Sequence, residues 1–330
     1  MINMNQQDIL NQLNSLSLEK DKFIVINDAS LVLQEMLDKT DTISLACNEE
    51  YYNSINWNEK LDPFGNPIKY NQSFEISFYL YNNERIVMIN EYCCMNLDYC
   101  LEIKKKLNQK KDHKIIEKLD LYLCSLDNTR YERELYQKNI HLIGGVDEVG
   151  RGPLVGPVVA ACCVLPEDFH LEGLTDSKKL SEKKRNIFFD YIKEHAIAYG
   201  IGASSPEVID EINIYEATKV AMKEAINQVR NQISLEHVLI DAMPLELDIP
   251  STSIIKGDIK SVNIAAASVL AKVTRDQMMY DLDKKYPQYG FASHKGYPTK
   301  KHIEAIQTYG LIDGYRKTYG PVKEILERVK

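Results

Sequence analysis

Apolar and polar positions change period several times along the chain, and those changes divide it. Phe74, Ile76, Phe78 and Leu80 alternate with other residues, which predicts a strand over Phe74–Tyr81 with one buried face. Asn82-Asn83 then reads as a tight turn into a second strand, Ile86–Ile89, a hairpin signal. Upstream, short apolar runs predict strands at Phe23–Ile26 and Ile43–Cys47, with a helix at Ser30–Leu37 between them. Helical patterns follow at Leu97–Leu107 and Ile115–Cys124, separated by the polar, basic NQKKDHK, and the charged segment Asn128–Asn139 predicts a connecting helix with Glu and Arg at pairing distance. From residue 141 the pattern is different. Strands at Leu142–Val146, Val155–Leu165, Ala196–Ser204, His237–Ile240 and Thr252–Ile255 are interleaved with a helix capped by Ser181, a long amphipathic helix at Ile212–Ile233 and another at Val262–Tyr286. Lys184 stands at the capping-box position where Glu is usual. Strands alternating with helices predict an α/β layer with helices packed on a mixed sheet. The expected organisation is a smaller α+β accessory domain over 1–125, a connecting helix over 126–140 and an α/β domain over 141–330.

Composition narrows the setting. The chain has 330 residues, 44% of them apolar, enough for two or three real cores. No apolar run reaches the roughly eighteen residues of a membrane span, and the polar start MINMNQQD lacks the regions of a signal peptide. A cytoplasmic protein without a membrane partner is expected. Seven cysteines without paired CxxC spacing fit reduced thiols, with Cys162 and Cys163 as small core residues. The net charge of −8 argues against a nucleic-acid partner until its distribution is considered: residues 251–330 hold 14 Lys+Arg against 8 Asp+Glu, whereas residues 1–140 hold 16 against 22. A basic C-terminal segment can supply phosphate contacts within an acidic chain.

Candidate chemistry gathers on GGVDEVGRGPLVGPVVAACCVL, residues 144–165. It places Asp147 and Glu148 at the end of a buried strand and follows them with Gly150-Arg151-Gly152, where glycines let the backbone approach a partner and leave N–H groups to bond it. Asp241 ends another strand, and Asp276 sits on the long helix beyond the small residues Ala265 to Ser268, which allow that helix close to the sheet. Any one acid among 48 reads by default as a solvated surface charge. Acids on strand ends and on a closely packed helix suit a different task. Two Mg²⁺ ions about 4 Å apart activate a water and neutralise charge on a phosphodiester, and Mg²⁺ prefers carboxylate, water and phosphate oxygens. The basic run Lys178, Lys179, Lys183, Lys184, Arg185 reads by default as a solvated helix face, with Lys178 and Lys179 the phosphate candidates and Lys272, Arg275 and Arg316 weaker ones. His294 and His302 read as packing residues, since a metal-activated water needs no histidine. No Walker loop, GxSxG or CxxC framework competes.

The same stretch resembles the opening motif of type 2 ribonuclease H, ribonuclease HII. The resemblance continues in order through DSKKLSEKKR (176–185), NIYEATKVAM (213–222), VLIDAM (238–243), KGD (256–258), IAAASVLAKVTRD (264–276) and HKGYPT (294–299), so that it covers about residues 130–330. It implies a ribonuclease H-like mixed sheet with flanking helices, and an Mg²⁺- or Mn²⁺-dependent endonuclease. The implied substrates are RNA/DNA hybrids and duplex DNA carrying embedded ribonucleotides; the implied products end in 3′-OH and 5′-phosphate. It assigns Asp147, Glu148, Asp241 and Asp276 to the metals. It assigns Gly150, Arg151, Gly152 and Tyr297 to recognition of the ribose 2′-OH at an RNA–DNA junction, the group by which a protein tells RNA from DNA. Tyr297 alone, one of 20 tyrosines, would read as packing. The family often has Ser near Asn263, which leaves one local hydrogen bond open. A type 3 enzyme, which also carries an added N-terminal domain, is the enzymatic rival, and the Asp147-Glu148 pair with its GRG turn favours type 2. A silent hybrid-binding protein is the other rival, and the four acids together argue against it. Protein partners, a sliding clamp or another replication protein among them, are left open.

Residues 1–125 more faintly resemble a minimal nucleotidyltransferase-fold domain, in FIVINDASLVLQEM, KTDTISL and LEIKKKLNQKKDHKIIEKLDLYL. That family carries two metal-binding acids two residues apart on its second strand. Thr42 and Ser44 stand there, with Asp41 out of step, and Asn27-Asp28 replaces the early glycine pair. Hydroxyls do not replace carboxylates as hard-cation ligands, so the resemblance implies a catalytically dead domain. Lys104, Lys105, Lys106, Lys110 and Lys111 form a basic stretch that either touches nucleic-acid backbone or is a solvated helix end.

Overall fold

A computed structural model of the chain describes residues 4–16, 18–19, 22–47, 49–61, 67–71, 74–78, 86–89, 92–107 and 109–328. It divides into two units, Met1–Leu123 and Cys124–Lys330.

The first unit opens with α1 (Gln6–Ser15), where Asn5 and Asp8 cap each other's backbone N–H. It continues through β1 (Phe23–Ile26), α2 (Asn27–Leu33), β2 (Ile43–Cys47), α3 (Glu49–Ser54), β3 (Asn58–Leu61), β4 (Pro67–Asn71), β5 (Phe74–Phe78), β6 (Ile86–Ile89), β7 (Tyr92–Met95), α4 (Leu97–Leu107) and α5 (His113–Leu126). The strands form one seven-stranded mixed sheet in the order β3-β4-β5-β2-β1-β7-β6. The expected β5–β6 hairpin does not form. β5 lies between β4 and β2, and β6 pairs with β7, a strand the pattern did not show. Leu80, Tyr81 and the Asn82-Asn83 turn lie outside the described residues. The helix expected at Ser30–Leu37 starts earlier, directly out of β1 at Asn27 with φ +54°, and stops before Glu35, whose φ of +61° no helix accommodates.

The second unit runs α6 (Arg130–Tyr136), β8 (Ile143–Val149), β9 (Val158–Val164), α7 (Glu182–His195), β10 (Ala198–Ser204), α8 (Pro206–Arg230), β11 (His237–Asp241), β12 (Ser251–Ile254), α9 (Gly257–Lys260), α10 (Val262–Lys285), α11 (Phe291–His294), α12 (Lys300–Tyr309) and α13 (Gly320–Arg328). Its five strands are ordered β10-β9-β8-β11-β12; β9 is antiparallel to both neighbours, and β8, β11 and β12 run parallel. This is a mixed sheet with helices on both faces. Every residue of β9 is buried because both faces are covered. Val158, Ala160 and Cys162 face α8, through Ala217, Ala221 and Ala225; Val159, Ala161 and Cys163 face α10, through Ala265, Ala266 and Val269. The C-terminal helices close a further core around Leu154, Val155, Phe291, Ile306 and Tyr315.

Three boundaries differ from the sequence pattern. β8 continues through Asp147 and Glu148 to Val149, so the acids lie within the strand's last turn of pleat and not beyond it. Val155 precedes β9 and bridges instead to Tyr315. α8 begins at Pro206 under a Ser205 cap, six residues before the apolar periodicity does, and Asn213 (φ 66°, ψ 164°) kinks it at the point where that periodicity starts.

Candidate active site

Parallel pairing of β8 with β11, with Val146 opposite Ile240, sets the two acidic strand ends side by side. Ligand oxygens of Asp147, Glu148 and Asp241 all lie within 4.8 Å of one another, the single such acidic group among the described residues. α10 packs directly over this end of the sheet. It comes so close that a Cβ on Gly145 would stand 2.1 Å from the carbonyl carbon of Asn263, so only glycine fits. Asn263 uses the approach: its Oδ1 accepts from the Leu165 N–H at 2.8 Å and its Nδ2 donates to Glu132 at 3.3 Å. Asn263 is thus hydrogen-bonded through both its amide oxygen and its amide nitrogen.

Burial pushes the Asp147 carboxyl well above the usual carboxylate range, and the charges of Glu148 and Asp241 push it further. Burial raises Glu148 too, against the nearby Arg151 guanidinium at 3.5 Å. Asp241 is raised by burial although the Gly257 N–H donates to its Oδ1 at 2.7 Å. Asp258, within the KGD motif but not singled out from it, is pushed up to about 6 by burial, then by Asp241 and Asp176. For Lys178, burial is outweighed by Asp147, Asp176 and Asp258, which raise its pKa. Lys179 is exposed and acts on Asp258. The pocket is thus an oxygen-only donor set whose negative charge the protein itself leaves under-compensated, the environment that a hard divalent cation relieves.

Asp276 stands outside the 4.8 Å group. It is nearly buried on α10 and held by Lys272 at 2.6 Å, with Arg185 at 3.8 Å. Lys272 is therefore an ion-pair partner of an acid and not a free phosphate contact. Arg275 and Arg316 are corrected more firmly: both are 0% exposed and donate to backbone carbonyls, out of reach of any phosphate. Sequence periodicity marks the helix that carries Arg275 but not the inward-turned guanidinium.

The Gly-Arg-Gly turn lies beside the acids. Gly150 has φ +94° and Arg275 fills the space a side chain would need. The Tyr297 ring lies against Gly152, where a Cβ would meet it at 3.2 Å, and Tyr297 is 40% exposed. His302, fully buried, donates from Nδ1 to the Tyr297 carbonyl at 2.8 Å and receives the Tyr315 hydroxyl at Nε2 at 2.7 Å; burial lowers its pKa to about 4. His294 accepts from the Gly296 N–H and donates to the Tyr289 carbonyl. Both histidines hold the Lys295-Gly296-Tyr297 segment in place. The sequence reading also passed over Glu132, a completely buried carboxylate whose Oε1 receives the Ser261 hydroxyl at 2.5 Å and the Asn263 N–H at 3.2 Å at the start of α10.

In the first unit, Asn27, Asp28, Asp41, Thr42, Ser44 and Lys104 line one polar cavity of about 540 Å³. Lys104 is buried between Asp28 (2.8 Å) and Asp112 (2.9 Å), and Lys105 is paired with Asp120. Two of the five lysines in the basic stretch are thereby taken up inside the unit. No helix among the described residues is long and apolar enough to cross a membrane.

Against known proteins, the family model for Ribonuclease HII matches residues 144–319. Ribonuclease HII of Bacillus mycoides (strain KBAB4) is 54% identical over 225 residues, 68% of this chain and 83% of its own. Ribonuclease HII of Bacillus cytotoxicus is 52% identical over 224 residues, 68% of this chain and 82% of its own. Among solved structures, ribonuclease H2 from Pyrococcus horikoshii OT3 aligns over 56% of this chain and 97% of its own, with 28% identity and a TM-score of 0.49. With the matched residues spanning the acidic strand ends, the Gly-Arg-Gly turn and Tyr297, the chain belongs to the ribonuclease HII family, divalent-metal-dependent endonucleases that cut the RNA strand of RNA/DNA hybrids.

Proposed function

We propose that Asp147, Glu148 and Asp241, joined by Asp276, hold two divalent cations, Mg²⁺ or Mn²⁺, and that the site also nicks duplex DNA at single embedded ribonucleotides. The observation that carries this is the convergence of three carboxylates within 4.8 Å at adjacent strand ends, with burial and mutual repulsion favouring the protonated form unless a cation compensates. When bound, the metals supply an activated water and charge neutralisation on the phosphate. The protein's residues do the rest. Asp147 and Glu148, fixed in β8, and Asp241, oriented by the Gly257 N–H, present oxygens from one side. Asp276, held on α10 by Lys272 at 2.6 Å, would add the fourth carboxylate. Lys178 and Lys179 lie on the exposed lip, placed for the backbone phosphates of an incoming strand. Gly150, Arg151, Gly152 and Tyr297 form the adjoining surface that reads the ribose 2′-OH, with the Tyr297 ring against Gly152 ready to pack on a sugar.

The test is a three-substrate comparison: a long RNA/DNA hybrid, a DNA duplex with one ribonucleotide and an all-DNA duplex, each with Mg²⁺, Mn²⁺ or chelator. Expected are cuts in the first two substrates only, none with chelator, and products ending in 3′-OH and 5′-phosphate. Cutting of the hybrid without cutting of the single-ribonucleotide duplex would remove the junction-reading part; 2′,3′-cyclic phosphate ends would remove the metal-activated water.

A further inference from the structure

Two arginines in the second unit are 0% exposed, and neither pairs with a carboxylate among the described residues. Burying a guanidinium is costly unless its donors are satisfied, and here backbone carbonyls satisfy them. Arg316 donates to the Gly150 carbonyl at 2.6 Å, to the Arg151 carbonyl at 3.0 Å and to the Gly156 carbonyl at 2.8 and 3.0 Å. Arg275 donates to the carbonyls of Val155 (3.2 Å), Pro157 (3.1 Å) and Lys295 (3.1 Å). Tyr319 completes the set, receiving Arg316 Nη1 at 3.0 Å and donating to the Arg151 carbonyl at 2.5 Å. The acceptors are not scattered: they are the two peptide groups of the Gly-Arg-Gly turn, the loop that follows it, and the residue two before Tyr297.

Peptide planarity gives this a consequence. In a trans peptide the C=O and the next residue's N–H point in opposite directions. With the Gly150 and Arg151 carbonyls drawn inward onto Arg316, the N–H groups of Arg151 and Gly152 must face outward. There, both residues are exposed and the Tyr297 ring lies alongside. Gly150 has a left-handed φ of +94° and the Arg275 side chain stands where a Cβ would be, while Arg316 holds its carbonyl, so both arginines bear on the shape of the turn. A planar fork of five donors spans the carbonyls of Gly150, Arg151 and Gly156 together with the Tyr319 oxygen, whereas an ammonium offers three donors from a single point.

We propose that Arg316, with Arg275 and the Tyr319 hydroxyl, is a positioning group that holds the Gly150 and Arg151 carbonyls inward and so aims the Arg151 and Gly152 N–H groups at the ribose. This rests on the assignment of the turn and Tyr297 to 2′-OH recognition. None of the three touches substrate; they act through the turn. Arg275 adjoins Asp276 on α10, which ties the reading surface to the metal-binding helix.

The experiment compares kcat/KM on the single-ribonucleotide duplex and on the long hybrid for Arg316→Lys, Tyr319→Phe and Tyr297→Ala. A variant that merely folds less well loses both activities in equal proportion, whereas a misaimed turn changes their ratio. Expected for Arg316→Lys is a loss on the single-ribonucleotide duplex on the order of tenfold beyond the loss on the hybrid, with Tyr319→Phe changing the ratio in the same direction by less. Tyr319→Phe decides the matter should Arg316→Lys not fold, because it removes one oxygen and no charge. Unchanged ratios in both positioning variants overturn the inference. If Tyr297→Ala shifts the ratio in that case, the junction-reading assignment survives; if it too leaves the ratio unchanged, that assignment falls with it.

Discussion

Gly145→Ala adds one methyl group to β8, and in most strands that gains stability, because glycine there costs about 0.5–1 kcal/mol relative to alanine. At this position the new Cβ would lie 2.1 Å from the Asn263 carbonyl carbon, 2.2 Å from the Ile264 nitrogen and 2.5 Å from the Asn263 oxygen, all backbone of α10. Restoring ordinary contact at about 3.5 Å moves the first turn of the helix off the sheet by roughly 1.4 Å. That movement stretches the Asn263 bonds to the Leu165 N–H and to Glu132. Two hydrogen bonds at about 1 kcal/mol each and over-packing of about 1–3 kcal/mol, less the backbone gain, give a net destabilisation of about 2–4 kcal/mol. Gly144→Ala is the control: its Cβ meets the Cys162 Sγ at 3.0 Å and the Leu235 methyls at 3.3 and 3.6 Å, side-chain atoms that can give way, so its cost stays under about 1.5 kcal/mol. Urea unfolding of both variants, followed by far-UV circular dichroism in metal-free buffer, measures the difference. Since α10 also carries Asp276, cleavage by Gly145→Ala under folding conditions falls on the order of 100-fold. A Gly145→Ala protein as stable as wild type, or a Gly144→Ala protein that is worse, would refute the close-approach reasoning.

Burial lifts Glu132 to about 7, against hydrogen bonds from Ser261 and Asn263. A carboxyl raised in the folded state binds more protons there than when unfolded. It therefore weakens the fold as pH rises from its ordinary value of 4.5 to about 7, by about 3 kcal/mol in all. Glu132→Gln keeps the acceptor and should flatten that slope in urea titrations from pH 5 to 8; an unchanged slope would show that Glu132 does not titrate there. Asp147→Asn should abolish cleavage yet stabilise the metal-free protein by about 1–3 kcal/mol, since charges within 4.8 Å repel by about that much at an effective dielectric near 20 or above. A lower metal-free melting temperature would contradict it. Read as a solvated helix end, Lys106, Lys110 and Lys111, all exposed, should leave the salt dependence of hybrid binding unchanged when replaced by alanine; a log–log slope shallower by about 3 would instead reveal a phosphate grip.

Much of the second unit was legible because β8, β9 and β11 are short apolar runs, and β8 and β11 carry acids at their ends. Asp147, Glu148 and Asp241 could be placed on strand ends, and parallel pairing of β8 with β11 then brought them together. What could not be read depends on side-chain direction. Nothing in VTRD or YRKTYG separates an arginine aimed at phosphate from one turned into the core, and Arg275 and Arg316 turn inward because a left-handed turn leaves carbonyls to satisfy. Glu132 lies 129 residues from Ser261, so no local pattern signals their contact. In the first unit β5 pairs on one side with the strand just before it, β4, with Asn71 opposite Phe74, and on the other with the distant β2, a parallel pairing that no local pattern signals. The early start of α8 was hidden for another reason: its first turn is set by the Ser205 cap and Pro206 and not by apolar spacing.

The role of the carboxylate cluster is tested most directly by cleavage of a labelled RNA/DNA hybrid with Asp241→Asn in saturating Mg²⁺ or Mn²⁺. Asparagine keeps the oxygen that accepts the Gly257 N–H, so folding by circular dichroism and thermal unfolding should match or exceed wild type. Removal of one anionic ligand from the three should bring cleavage down to the level of a chelated control. A folded Asp241→Asn protein that cuts the hybrid at the wild-type rate in either metal would contradict the assignment of these strand ends as the metal-binding centre.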